Sequence, residues 1–326
     1  MKFKQLTLSL AIIPVFVFGG AYPPGSEKYL LNAMVSESEA NETPEAPKVN
    51  EITTNTFTIT GTANGSDEVT ILKNGQLYKI VTADSDGLFS VGIPLQSAGV
   101  VFGFYSKNDK GVKSEISWMT VLEQERPGKM MISAPVVKQL PELARGCEVT
   151  SLAMLLQYAG IDVGKMILAE QIKKDPAKLK MKNGQKHFGN PNNGFVGDMY
   201  TYSKPGYGVY NGPIEELANH YLPGRIVNLS GGPFDQVLDY VASGHPVWVI
   251  TTSWFDYVPK KHWETWQTEA GSIQITMKMH SVLITGYDDD YVYFNDPLDG
   301  KKNKRVLKEK FIKGWNQFGN QAISYY

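Results

Sequence analysis

Cys147 is the single cysteine among 326 residues, and its surroundings suit chemistry as well as packing. Gln139-Leu-Pro-Glu-Leu-Ala-Arg-Gly-Cys147 leads into Glu148-Val-Thr-Ser-Leu-Ala-Met-Leu-Leu-Gln-Tyr-Ala-Gly160. Val149, Leu152, Leu155, Leu156 and Ala159 recur at helical spacing, and Gly160 stands where a C-terminal cap belongs. The thiol is therefore expected in the first turn of a mostly buried helix. Unpaired N–H groups and the positive end of the dipole would favour the thiolate there. An isolated cysteine is by default a small buried hydrophobe, so a nucleophile needs a second group nearby.

The second group is His280. It opens His280-Ser-Val-Leu-Ile-Thr-Gly-Tyr-Asp-Asp-Asp-Tyr-Val-Tyr-Phe-Asn-Asp296-Pro297, which reads as two strands and a turn. If the hairpin turns about Asp288, Ile284 faces Val292, Val282 faces Phe294 and His280 faces Asp296. The apolar pairs then share one face, as register requires. A carboxylate opposite an imidazole fixes its tautomer and stabilises its cation, and Pro297 ends the strand just beyond it. Cys147 is thus the candidate nucleophile, His280 the base and then the acid, and Asp296 the orienting carboxylate. The Cys147 N–H and the Gln139 side-chain amide are the candidate oxyanion donors; a surface glutamine is the plain alternative for Gln139.

Other residues carry less. His187, His220, His245 and His262 show no metal-ligand spacing with one another or with Cys147, so no metal and no cofactor is expected. Trp254, Trp263 and Trp266, with Tyr257, precede the histidine strands and either line a cleft or pack a loop. Asp288-Asp-Asp290 reads as a solvated turn, and Glu148 and Thr150 as caps of the Cys147 helix.

The elements that must hold these groups fall into two blocks. Residues 48–123 carry short β-rich runs: Thr56–Thr60, Glu68–Lys73, Gln76–Val81, Leu88–Ile93, Val100–Tyr105 and Ile116–Val121. Asn74-Gly75 is a strong hairpin signal, and the whole predicts a small all-β sandwich. After a linker at Glu123–Gly128, residues 130–326 form the second block. It has helices at the Cys147 segment, Lys165–Ile172, Ile214–His220, Pro233–Ala242 and Lys308–Trp315. Strands are expected at Val247–Thr252, Ile273–Met277, His280–Thr285, Tyr291–Asn295 and Ala322–Tyr325. About Asp175 to Gly212 shows little regular pattern and reads as a functional loop. Helices followed by an antiparallel sheet give an α+β domain.

Residues 1–21 read as a signal peptide: Lys2 and Lys4, an apolar run from Leu6 to Phe18, then Gly19-Gly-Ala21. Residues 22–47 are polar, acidic and Pro-punctuated, as in a disordered spacer. The apolar run is short for a membrane span, and none is expected beyond it. With 42% hydrophobic residues and a formal charge of −1, the chain can build cores but gives no electrostatic case for nucleic acid. Nothing in it signals oligomerisation, and a monomer is expected. A leftover thiol in a secreted setting calls for a purpose.

Two resemblances add to this. The stretch with Gly61-Thr-Ala63, Val69–Gly75, Asp84–Val91 and Asn108–Gly111 resembles bacterial Ig-like modules, which implies a spacer or adhesion unit. The second block resembles the C39-like cysteine peptidases of papain-like fold, in their stand-alone secreted branch. The motifs are Gln139–Leu143, Gly146–Leu156, Gly189-Asn-Pro191 with Gly194–Asp198, and His280–Gly286 with Asn295-Asp-Pro297. The resemblance implies a Cys147, His280, Asp296 triad with Gln139 in the oxyanion position. Here the glutamine lies eight residues before the cysteine, where the transporter-linked bacteriocin peptidases of this clan have six, and no transporter segment is present. Cleavage of double-glycine leaders is therefore not implied. The expected activity is a secreted or cell-surface cysteine peptidase acting on a peptide or protein, with cell-wall material among the candidates. A cell-wall amidase, murein peptidase or transglutaminase on the same triad is the first alternative. A non-catalytic surface-binding protein is the second.

Overall fold

The computed structural model describes residues 43–326, so the expected signal peptide and residues 22–42 of the spacer lie outside the described residues. Residues 43–47 are pinned to the first domain rather than loose. Ser106 Oγ donates to the Glu45 carbonyl at 2.8 Å, and Ser117 Oγ to the Pro47 carbonyl at 2.7 Å.

The β-rich block is a sandwich. One sheet has Lys48–Val49, Thr58–Thr62 and Leu88–Gly92; the other has Gln76–Thr82, Glu68–Lys73, Val101–Lys107 and Ser117–Thr120. Ile59, Val69, Ile71, Phe89, Phe102 and Phe104 alternate inward to fill the space between them. The Asn74-Gly75 turn has φ of 50° and 80°, both left-handed, as the turn that matches strand twist demands.

The second domain is built on one antiparallel sheet. Its order is Ile226–Asn228, Ala322–Tyr325, Val247–Thr252, Met279–Tyr287, Tyr291–Asp296 and Lys301–Leu307, with Met130–Met131 also paired to Met279–Tyr287. The helices are α1 (Cys147–Tyr158), α2 (Lys165–Gln171), α3 (Asn211–Tyr221), α4 (Phe234–Ala242) and α5 (Lys308–Asn316). α1 is buried from Cys147 to Leu156 and lies against the two central strands. Trp248 Nε1 donates to the Glu148 carbonyl at 2.9 Å and Ser151 Oγ to the Ser281 carbonyl at 3.1 Å. These bonds fix the start of α1 against Val247–Thr252 and its neighbour Met279–Tyr287, the strand that carries His280. Val247–Thr252 is a continuous apolar and β-branched run because both its faces are covered.

Several expectations need correction. The segment from Asp175 to Gly212 contains strands at Lys180–Lys182, Gln185–His187 and Phe195–Val196. The first two continue a four-stranded sheet with Glu264–Thr268 and Gly271–Ile275. Trp266 therefore sits in a strand and is buried against Phe188 and Tyr207, while Trp254 stays exposed. Ile226–Asn228 and Lys301–Leu307 were not anticipated as strands; the latter, Lys-Lys-Asn-Lys-Arg-Val-Leu, is an edge whose charges hide its period.

The two domains touch. The Phe57 ring lies 3.9 Å from that of His245 and 5.4 Å from that of Tyr240. Arg126, at the end of the linker, pairs with Asp235 and Asp239 of α4 at 2.8 Å each.

Candidate active site

The central hairpin brings His280 and Asp296 together, but in a different register from the expected one. Leu283 faces Asn295 and Ile284 faces Phe294; Thr285 is then a bulge, after which Gly286 faces Tyr293 and Tyr287 faces Val292. Near His280 the strands are two residues from the predicted alignment. A shift of two keeps every side chain on its face, so His280 reaches Asp296 along the diagonal. Its Nε2 lies 2.8 Å from Asp296 Oδ1. Nδ1 is left as the nitrogen that can exchange a proton across the site.

Asp296 is held from three sides. Lys304 Nζ lies 2.8 Å from Oδ2, and the Leu298 N–H donates to Oδ1 at 3.0 Å. Burial works against the charge, but His280 first, then Lys304 and the Leu298 N–H, hold the carboxyl well below the usual carboxylate range. Asp296 therefore stays ionised and orients the imidazole. Neighbouring Asn295 ties the hairpin to the segment leading into α1, its Nδ2 donating to the Pro135 carbonyl at 2.8 Å.

Cys147 is the first residue of α1, as expected, and its N–H has no acceptor within the helix. Gly146 before it is obligatory, because a Cβ there would come within 2.6 Å of Leu143 Cβ. The expected electrostatics need correction. Burial first, then the Glu148 carboxylate, push the Cys147 thiol well above its ordinary value, and Asp296 adds to the rise. The Ser281 N–H pulls the other way. The helix start and the Ser281 N–H therefore work against burial and an adjacent carboxylate.

Glu148 is not a helix cap. Its carboxyl turns into the domain, with Oε2 3.2 Å from the Cys147 sulfur as acceptor of the thiol and Oε1 accepting the Val209 N–H at 2.9 Å. Thr150 caps no N–H either; its hydroxyl bonds back to the Gly146 carbonyl at 2.6 Å. Burial raises the Glu148 carboxyl from 4.5 to about 7 despite its hydrogen bonds.

Cys147, His280 and Gln139 line one cavity of about 230 Å³, together with Arg145, Tyr202 and Met279. The Arg145 guanidinium donates to the carbonyls of Asp198 and Thr201 and lies 4.9 Å from the Tyr202 ring centre. Gln139 is buried, which sets aside the surface-glutamine alternative. Its amide nitrogen faces the carbonyls of Leu143 and Ala144 at 3.2 and 3.3 Å, and its Oε1 has no partner. A larger cavity of about 520 Å³ lies where the two domains meet; Arg126, Asp235 and Asp239 are among its lining residues, and neither cysteine nor histidine is.

Sequence reasoning missed Glu148 as a partner of the thiol and Lys304 as a partner of Asp296. The first had a signal: a carboxylate directly after the cysteine, inside a helix with no exposed face at that end. The second had none, because Lys304 meets Asp296 only through the unanticipated edge strand, where it stands opposite Phe294.

Comparison with known proteins agrees with this architecture. The family model described as Bacterial Ig domain matches residues 43–123, and the sandwich is an N-terminal Ig-like domain. The YvpB protein of Bacillus subtilis (strain 168), itself uncharacterised, is 48% identical over 183 residues, 56% of this chain and 70% of that protein. A crystal structure of a provisionally assigned C39-like peptidase from Bacillus anthracis shares 47% identity with a TM-score of 0.57. It covers 61% of this chain and 98% of that one. The model of the Peptidase_C39 like family matches residues 131–323, and the chain belongs to that family.

Proposed function

We propose that this peptidase-family domain is a cysteine peptidase, with Cys147 as nucleophile, His280 as proton carrier and Asp296 as orienting carboxylate. The observation that carries the reading is the cavity shared by Cys147 and His280, with the far imidazole nitrogen anchored on Asp296. Burial and the Glu148 carboxylate favour the protonated thiol, and from that form His280 takes the proton as sulfur attacks the carbonyl carbon. The S–C bond forms and the carbonyl oxygen gains the charge. The Cys147 N–H and the Gln139 amide stabilise that oxyanion. The bonds from Gln139 to Leu143 and Ala144 are long, and one can be exchanged for a stronger bond to an anion. His280 then gives its proton to the leaving amine as the C–N bond breaks. Water, deprotonated by His280, opens the thioester, releases the acid and restores the thiol.

The domain is further proposed to act as a monomer on a peptide or protein outside the cell. The supports are the Lys2 and Lys4 start with its apolar run, and the Ig-like module. Fractionating cells and medium tests the location.

The test of activity is release of peptides from casein by the wild type, Cys147→Ser and His280→Ala, with a labelled amine present. Release abolished in both variants, with no amine incorporated, is expected. Amine incorporation without release would move the domain to acyl transfer. Release by Cys147→Ser would sink the thiol mechanism.

A further inference from the structure

Glu148 is the buried titratable group that the mechanism above leaves unused. Its placement is constructed rather than incidental. Gly208 opposes it, and a Cβ at that position would sit 2.2 Å from Glu148 Oε1 and 2.2 Å from Met279 Cε. Gly208 is in turn fixed by the Val196 N–H, which donates to its carbonyl at 3.0 Å, and the following Val209 N–H holds Oε1. The remaining oxygen has the Cys147 sulfur as its hydrogen-bond partner. A chain that spends a glycine and a backbone N–H on turning a carboxyl toward its candidate nucleophile gives that carboxyl a role.

We propose that Glu148 is the proton holder of the nucleophile: as a neutral acid its O–H donates to sulfur and lets the thiolate form, and as a carboxylate it retains the thiol proton and silences Cys147. The proposal deepens the cysteine-peptidase reading and rests on it. In the silent form the thiol S–H donates to the Glu148 carboxylate and the imidazole is neutral. On acidification, one proton from solvent protonates Glu148. The thiol proton passes to His280 Nδ1, and the Glu148 O–H takes over the bond to sulfur. No bond between heavy atoms changes. A carboxylate beside a thiolate would place two negative charges in a buried site, which is the reason they do not coexist.

The groups facing this pair come from three directions. Tyr207 and Tyr210 approach from the segment before α3, and burial pushes both phenols up, so they stay neutral. His280 and Asp296 approach from the central hairpin, and Arg145 lines the same cavity. None of the neutral phenols competes for the proton. Glu148 titrates near 7, so the switch falls within the range where an extracellular environment varies.

Iodoacetamide alkylation of Cys147 against pH tests this in the full chain, and the single cysteine makes the label unambiguous. Glu148→Gln is the decisive variant. Its amide keeps the Val209 bond and offers sulfur an N–H at every pH, mimicking the neutral acid. In the wild type the rate is expected to fall several-fold as pH rises through about 7, before climbing again when the thiol itself ionises. In Glu148→Gln the fall disappears, and casein hydrolysis extends to higher pH with kcat affected more than KM. A wild-type rate that climbs steadily through this range, like an ordinary thiol, overturns the proposal; so does an unchanged fall in Glu148→Gln. If that variant does not fold, the wild-type profile alone decides. Alkylation needs no peptide substrate. The fall therefore reports on Glu148 even if Cys147→Ser releases peptides and the peptidase reading fails.

Discussion

Lys304 places its ammonium 2.8 Å from Asp296 Oδ2, the carboxylate oxygen that His280 leaves free. Asp296 thus serves an imidazole and an ammonium with its two oxygens, and the edge strand that carries Lys304 takes part in the site. Neutralising Lys304 leaves Asp296 held only through Oδ1, by His280 and the Leu298 N–H, and so less firmly fixed against the imidazole. Lys304→Met is expected to lower kcat about 10-fold with KM unchanged, a fraction of what an oriented acid–base group supplies. Steady-state kinetics on a peptide substrate check this, and an unchanged kcat would reduce Lys304 to a surface partner.

The same carboxylate shapes acid stability. Its folded pKa is depressed below the unfolded value, so its contribution is present above the ordinary carboxylate range and lost as pH falls through the folded value. Below about pH 4 the wild type should therefore lose unfolding free energy more steeply than Asp296→Asn. At neutral pH the Asn variant should be the less stable protein, with Lys304 left to Asp299 alone. Denaturant melts across that range decide, and parallel slopes would contradict the ion pair.

How much of this was legible beforehand follows from what each signal depends on. The Cys147 helix was readable because Val149, Leu152, Leu155 and Leu156 mark a period. The His280–Asp296 encounter was readable because side-chain parity survives a two-residue shift. The register itself was not: the turn centres between Asp289 and Asp290, with Tyr287 facing Val292, rather than on Asp288, and the bulge at Thr285, beside the Met130 backbone that packs on Gly286, brings the offset near His280 back from three residues to two. That contact is long-range and leaves no local mark. The thiol's electrostatics were misread for a related reason. A helix end is visible in sequence, whereas the burial of Glu148 beneath Gly208 is a product of the fold.

Glu148 predicts a stability signature independent of activity. Its folded pKa is raised from 4.5 to about 7, the opposite sign to Asp296. The stability tied to its proton is fully present below the unfolded value and is lost as pH rises through the folded one. That shift corresponds to roughly 3 kcal/mol, an order-of-magnitude figure. From pH 4.5 to about 8 the wild type should lose this much relative to Glu148→Gln, which has nothing to titrate there. Paired guanidinium melts at the two ends of the range measure it, and a constant difference between the proteins would refute it.

Gly208→Ala asks whether the carboxyl's position matters. The added methyl meets both Glu148 Oε1 and Met279 Cε at 2.2 Å, so one of them must move. Overpacking of this kind costs about 1–3 kcal/mol. The expected result is a folded but destabilised protein whose alkylation profile has lost its dependence on Glu148. A profile identical to wild type would mean that Met279 alone yields, with the carboxyl still in place.

Phe57 bears on whether the Ig-like domain is only a spacer. Its ring leaves the sandwich to lie 3.9 Å from His245 and 5.4 Å from Tyr240, against the core of the peptidase domain. A true spacer would gain nothing from an aromatic side chain there, since leaving such a ring exposed to water is unfavourable. Phe57→Ala is expected to lower the unfolding free energy of the peptidase domain by about 1–2 kcal/mol, less than for a fully buried phenylalanine because the ring is only partly covered. The stability of the sandwich itself should change little, because Phe57 does not belong to its inner layer. Calorimetry should then show the peptidase transition moving down toward that of the domain without its partner, with kcat unchanged. Two transitions that stay where they are in the wild type would mean that the contact contributes no stability and that the sandwich is a passenger.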